Sequence, residues 1–199
     1  MATIVGLRCR DGVVLAGDRV LVRDGRIESR NRRHVFDFDD VGAAAVGSDV
    51  DRFADRLAGE LRSYRLDRGS VSVAVLERLA SELASGTGME AVVAGRDRDD
   101  EGERENGTGR AALRGVYADG STLGDPPMAL GSGASLALGQ LEAADLDSMS
   151  VAEAETFVHD LFETVAERDP GTGAETDVWT LSDTTSEGTS GAETDTTGS

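Results

Sequence analysis

Apolar positions near the start of the chain recur with a period of two, the period of a strand with one face buried. Residues 3–8 alternate in this way, and DGVVLAGD (11–18) reads as a turn followed by a short buried strand. VLVRDGRIES (20–29) carries the Asp-Gly pair of a tight reversal. HVFDF (34–38) alternates again, and VGAAAVGS (41–48) is a small-residue strand ending in glycine. The period then lengthens. Val50, Phe53, Leu57, Leu61 and Tyr64 fall on one face of a helix, with Ser48 as its expected N-cap and Asp51 three residues on. A second helix is expected from about Ser70, with Val73, Leu76, Ala80 and Leu83 inward.

Strands return in MEAVVAG (89–95) and AALRGVYA (111–118), and residues 96–110 between them hold no apolar side chain, so they read as a solvated hairpin loop. PMALGSG (127–133) ends in glycines and opens a third helix through Leu136, Leu138 and Leu141. Ser150 and Glu153 form a capping box for a fourth, whose inward face is Val151, Ala154, Phe157, Val158, Leu161, Phe162 and Val165. TDVWTL (176–181) closes the fold as a strand. Residues 182–199 are Thr, Ser, Gly, Asp and Glu with a single Ala, a composition that cannot offset its ordering entropy and predicts a disordered acidic tail. This element order predicts one α/β (α+β) domain over residues 1–181, with antiparallel sheets stacked on each other and helices outside.

Only 4% of the residues are aromatic, so Val, Leu and Ala must build the core. The formal net charge is -18, and every basic residue is Arg. Carboxylates spread along the whole chain resemble the cytosolic proteins of salt-loving archaea, because in molar salt the Debye length falls to about 3 Å and self-repulsion is screened. No basic stripe exists to neutralise phosphates, which argues against a nucleic-acid partner. One cysteine allows no internal disulfide. No apolar run spans a bilayer and no secretory leader is recognisable, so the expected location is cytoplasmic, away from membranes.

Several motifs have plain readings. GSGAS (131–135) lacks the Gly-Lys-Ser/Thr ending of a phosphate loop and reads as close backbone packing at a strand-to-helix turn. DRDDEGERENGT (97–108) resembles a calcium loop until its twelfth position, Thr108, where a bidentate Glu is required; it reads as a solvated charge run. His159 points off the apolar face of its helix and reads as exposed, and Cys9 reads as a small hydrophobe. Asp18 differs: it ends a buried strand beside Arg19, and a buried carboxylate is costly unless paired, so a structural salt bridge is its plain reading.

Taken together, TIVGLRCRDGVVLAGDR (3–19), RRHVFDF, AAAVGS, GSG and ERDPGTGAETDV (167–178) resemble a proteasome β-type subunit, in family order and at near-family spacing. The resemblance implies a four-layer α-β-β-α sandwich of two antiparallel sheets flanked by helices, of the N-terminal-nucleophile hydrolase type. It implies assembly with itself or with other proteasome-type subunits in a ring around a proteolytic chamber, with peptide as substrate only if the chain is active, and no cofactor and no metal. In the family an N-terminal Thr hydroxyl attacks the scissile carbonyl and its own α-amine is the base. A buried Lys supports that nucleophile, an Asp holds the Lys, and a later Ser and Asp complete the cluster.

Carried onto this chain, Asp18 matches the first Asp and Asp169 the later one. Thr172 with Gly173 replaces the family Ser-Gly, Ser132 sits in the matching Gly-Ser-Gly, and Gly47 matches the glycine whose N–H serves the oxyanion. Anchoring on Val5-Gly6-Leu7 puts Ala2 at the nucleophile position, and anchoring on RRHVF puts His34 at the Lys position, beside Arg33. A one-residue slip turns Thr3 away from the cavity that Ala2 faces. Three readings stay open: a ring subunit without conventional threonine peptidase activity (a pseudoenzyme), a threonine-type endopeptidase using Thr3, His34 and Asp18, and a diverged binding module that keeps the sandwich without the ring.

Overall fold

The computed structural model describes residues 2–97 and 109–184. The chain opens with β1 (Thr3–Cys9) and β2 (Gly12–Asp18), then a hairpin of β3 (Leu21–Arg23) and β4 (Arg26–Ser29). The hairpin turns on Asp24 and Gly25 at φ 50° and 72°, the left-handed pair that a two-residue reversal requires. There follow β5 (Val35–Asp37), β6 (Gly42–Val46), α1 (Val50–Arg68), α2 (Val73–Ala84), β7 (Glu90–Asp97), β8 (Arg110–Val116) and β9 (Thr122–Leu123). The last third holds β10 (Met128–Gly131), α3 (Ala134–Ala143), a single 3-10 turn (Leu146–Ser148), α4 (Val151–Ala166) and β11 (Thr176–Ser182).

Two antiparallel sheets stack, one ordered β10-β1-β2-β11 and the other β5-β6-β7-β8-β9. Strand alternation sorts the side chains into three buried layers. On β1, Ile4 faces the other sheet, where it packs with Val13, Leu15, Ala44 and Val92, while Val5 and Leu7 face α3 and α4. On the second sheet, Ala43, Ala45, Ala91 and Val93 face α1 and α2. The expected four-layer α-β-β-α sandwich is therefore present. Alanine-rich β6 lets the layers approach closely, which suits a core with so few aromatic rings.

Several local expectations are corrected. Asp49, not Ser48, caps α1, because its side chain accepts from Arg52 N; α2 is capped by Ser72 and starts later than expected from Ser70. The inward face of α3 is Ala137 and Leu141, and Leu136 is exposed, because the helix buries a small residue where it crosses β1. The short edge strand β9 carries no apolar pattern and was not expected. The Ser150–Glu153 capping box of α4 is present in both directions. The expected loop and calcium-like motif fall largely on residues 98–108, and most of the acidic tail falls on residues 185–199, outside the described residues. Ser182, expected in the tail, is the last residue of β11. Beyond it, Asp183 accepts from Ala111 N of β8 at 2.7 Å and pairs with Arg8 of β1 at 2.6 Å, so it links both sheets. Among the described residues no helix is long and apolar enough to cross a membrane.

Candidate functional site

The N-terminal end of β1 meets the C-terminal end of β2, the turn from β10 into α3, the loop from α4 to β11 and the start of β5. Thr3 pairs with Gly131 across β1 and β10, and Asp18 pairs with Thr176 across β2 and β11. Gly131 and Gly133 hold this junction. A side chain at Gly131 would overlap Ala2 O, and one at Gly133 would lie 2.8 Å from Thr172 Oγ1 and 2.9 Å from Thr3 Oγ1. The expected close backbone packing at GSG is thus what the structure holds.

The Thr3 side chain is fully buried on the helix-facing side of β1. Its Oγ1 accepts from Gly133 N at 2.8 Å and lies 2.6 Å from Thr172 Oγ1. Thr172 spends its own proton on Asp169 Oδ2 at 2.5 Å, so Thr3 must donate in the contact between the two hydroxyls. A directed chain runs from Gly133 N–H through Thr3 and Thr172 to the Asp169 carboxylate. Ser132 Oγ also donates to Asp169 Oδ2, at 2.6 Å, and Gly171 N to Oδ1, at 3.2 Å. Burial acts to raise the Asp169 carboxyl, but the Ser132 and Thr172 hydroxyls and the Gly171 N–H outweigh it and hold the group below the ordinary carboxylate range.

Asp18 is fully buried. The expected salt bridge with Arg19 does not form: Arg19 reaches Asp177, at 3.5 Å. Asp18 is satisfied by backbone instead, with Oδ1 accepting from Thr3 N at 2.6 Å and Oδ2 from Val20 N and Gly173 N, each at 2.9 Å. These peptide donors are fixed by β-strand and loop geometry, which is why a carboxylate survives there without a cation. Burial still pushes its carboxyl above the ordinary value, against the three N–H groups and the electrostatic pull of His34.

Ala2 is 3% exposed and packs in the layer between the sheets, with Ile4 and Val35. His34 is also buried, at 3%, and its Cβ lies on the same side, against Gly17. Its Nδ1 lies 3.0 Å from Ala45 O, and a carbonyl only accepts, so that nitrogen carries the proton. Nε2 has no hydrogen-bond partner among the described residues. Gly47 follows β6 with φ 140° and lies against Met89 and Gly88. His159 is exposed, with Nδ1 2.6 Å from Thr176 Oγ1, and Cys9 is a buried thiol that burial pushes up.

The structure therefore joins Thr3, Thr172, Asp169 and Ser132 in one network and ties Asp18 to it through the Thr3 amide. It places Ala2 and His34 on the other face of β1. The backbone donors of Gly133, Val20 and Gly173 were not singled out from sequence, although the glycine-rich spacing of GSG and of Thr172-Gly173 was a signal of close approach.

A family model described as "Proteasome subunit" matches residues 1–181. Proteasome subunit beta 1 of Desulfurococcus amylolyticus is 32% identical over 176 residues, covering 84% of this chain and 82% of the relative. Proteasome subunit beta of Methanopyrus kandleri is 29% identical over 190 residues, covering 90% and 86%. Proteasome subunit beta of Halobacterium salinarum is 30% identical over 178 residues, covering 86% and 70%.

Proposed function

The chain belongs to the proteasome subunit family as a β-type, ring-forming member, and on that premise we propose that it is a subunit that has lost threonine peptidase chemistry while keeping its scaffold. One observation carries this reading: the only hydroxyl at the start of β1, that of Thr3, is sealed on the helix-facing side and hydrogen-bonded to Gly133 and Thr172. The family reaction forms an ester between a Thr hydroxyl and the substrate acyl group and expels the amine. Ala2 presents a methyl group at that position and can form no such bond. His34 stands where the family has a Lys, so the ammonium that supports the family nucleophile is also missing.

A second reading has one observation in its favour. Thr3 N lies 2.6 Å from Asp18 Oδ1, so a chain trimmed to Thr3 would hold its new ammonium against a carboxylate. Its hydroxyl proton would still be directed at Thr172, away from His34. That geometry favours the silent subunit.

We take its partners to be copies of itself or other proteasome-type chains, and its surroundings to be a salt-rich cytoplasm. The charge of -18 and the replacement of all Lys by Arg support that setting, as does the relative from a halophile. The test is turnover of fluorogenic peptides by the assembled protein in molar salt, together with intact mass. No turnover, and a chain that keeps Ala2, is the expected result. Turnover abolished by Thr3→Ala, in a chain whose mass begins at Thr3, overturns it.

A further inference from the structure

On the outer side of the second sheet, a cleft of about 300 Å³ opens where α1 begins and α2 ends. Its floor is Phe53, Leu83 and Met89, each less than 8% exposed, and its rim carries Arg52 and Arg56. The two guanidinium groups stand at i and i+4, where like charges repel. Neither has an ion-pair partner among the described residues, a state they share with exposed arginines such as Arg26, Arg30 and Arg62; what sets this pair apart is that both stand on the rim of an apolar cleft. In a chain with 38 acidic residues and 20 basic ones, an uncompensated arginine pair over an apolar floor is not required by the fold. The carboxylate at the rim, Asp49, is already engaged as the N-cap of α1.

We propose that this cleft binds a peptide C-terminus, with the free α-carboxylate on Arg52 and Arg56 and the last, apolar side chain on Phe53, Leu83 and Met89. A guanidinium matches a carboxylate through paired N–H donors, and the start of α1 adds its positive dipole end. The volume lies at the small end of ligand pockets, the size of a terminal residue. A bare inorganic anion would leave the apolar floor unused. Met89 packs against Gly47, so an occupant would sit one residue layer from the end of β6. The proposal is independent of whether the chain cuts peptides.

The test is calorimetric titration of the full chain, at one fixed salt concentration, with a pentapeptide ending in leucine, as free acid and as C-terminal amide, and with inorganic phosphate. The net negative charge of the protein disfavours the acid everywhere except at this cleft, so the sign of the preference is diagnostic. The expected result is that the acid binds about tenfold more tightly than the amide, as one charge-assisted pair allows. The preference disappears in the Arg52→Gln, Arg56→Gln double variant and persists in Arg62→Gln, an exposed arginine of α1 outside the cleft. Equal or tighter binding of the amide, no binding of either peptide, phosphate competing as well as the acid, or a preference that survives the double variant would each overturn it.

Discussion

The two faces of β1 have opposite chemistry. Toward the helices, Thr3 and its neighbours form a polar network in which each donor and acceptor is spoken for, from Gly133 N–H to the Asp169 carboxylate. Toward the other sheet, Ala2 offers a methyl group and His34 a buried nitrogen with no partner among the described residues. The difference teaches that one strand can carry a satisfied polar network on one face and an apolar, methyl-lined surface on the other. Removing the residues that knit β1 to β10, β2 and the α4–β11 loop would strand buried polar groups. On the face toward the other sheet the corresponding cost is small, one hydrogen bond from His34 to Ala45 O.

The largest expected effect comes from placing the family's Thr and Lys on the face toward the other sheet. Ala2→Thr combined with His34→Lys, with Met1 removed to free the new terminus, should raise fluorogenic peptide turnover by about 10²-fold or more over background, the range of a positioned acid–base group. A double variant that assembles and stays silent would show that these two positions alone do not supply the chemistry.

Next in size is the intact face. Asp18→Ala orphans the amides of Thr3, Val20 and Gly173 and should cost about 3–5 kcal/mol by denaturant unfolding, since each buried unsatisfied group is worth roughly 1–3 kcal/mol. Gly133→Ala forces a methyl against Thr3 and Thr172 and should cost about 1–3 kcal/mol, as overpacking usually does. Asp169 gives a pH signature. Its carboxyl is depressed in the fold, so its contribution is present above the unfolded value and is lost as pH falls through the folded one. Asp169→Asn should therefore be less stable at neutral pH and flatten the acid limb of the unfolding midpoint against pH. Asp18 has the opposite sign: its raised value makes it lose stability as pH rises from the unfolded value through the folded one, and Asp18→Asn should remove that slope.

The smallest effect is expected at His34. With Nε2 unpartnered, His34→Leu removes one hydrogen bond to Ala45 and one orphaned polar atom together, and should shift stability by about 1 kcal/mol or less. A loss several times larger would mean that His34 holds a partner in the assembled ring.

Much of the architecture was legible because its signals are local. The Ser150–Glu153 box and the Asp24-Gly25 reversal are each written within a few residues and both are present, and β1 is a strand as expected, though buried on both faces rather than one. The wrong local assignments have equally local causes. On α3 the leucines attract attention, yet Ala137 is the residue small enough to lie against β1. The partners at the site were less legible. Thr3 meets Thr172 across 169 residues of chain, and periodicity says nothing about such a pairing; only the resemblance put them in one cluster. Asp18 looked as though it needed a cation, because sequence displays side chains and hides peptide N–H groups, which are what satisfy it.

At the opposite end of β1 from Ala2, Asp183 fastens Arg8 to the Ala111 amide just where β11 has ended. The two sheets are thereby bound like pages along a spine. Cutting the chain after Ser182 would release the hinge edge while leaving every residue around Thr3 in place, and the first sign should be faster amide exchange in β8 and β11.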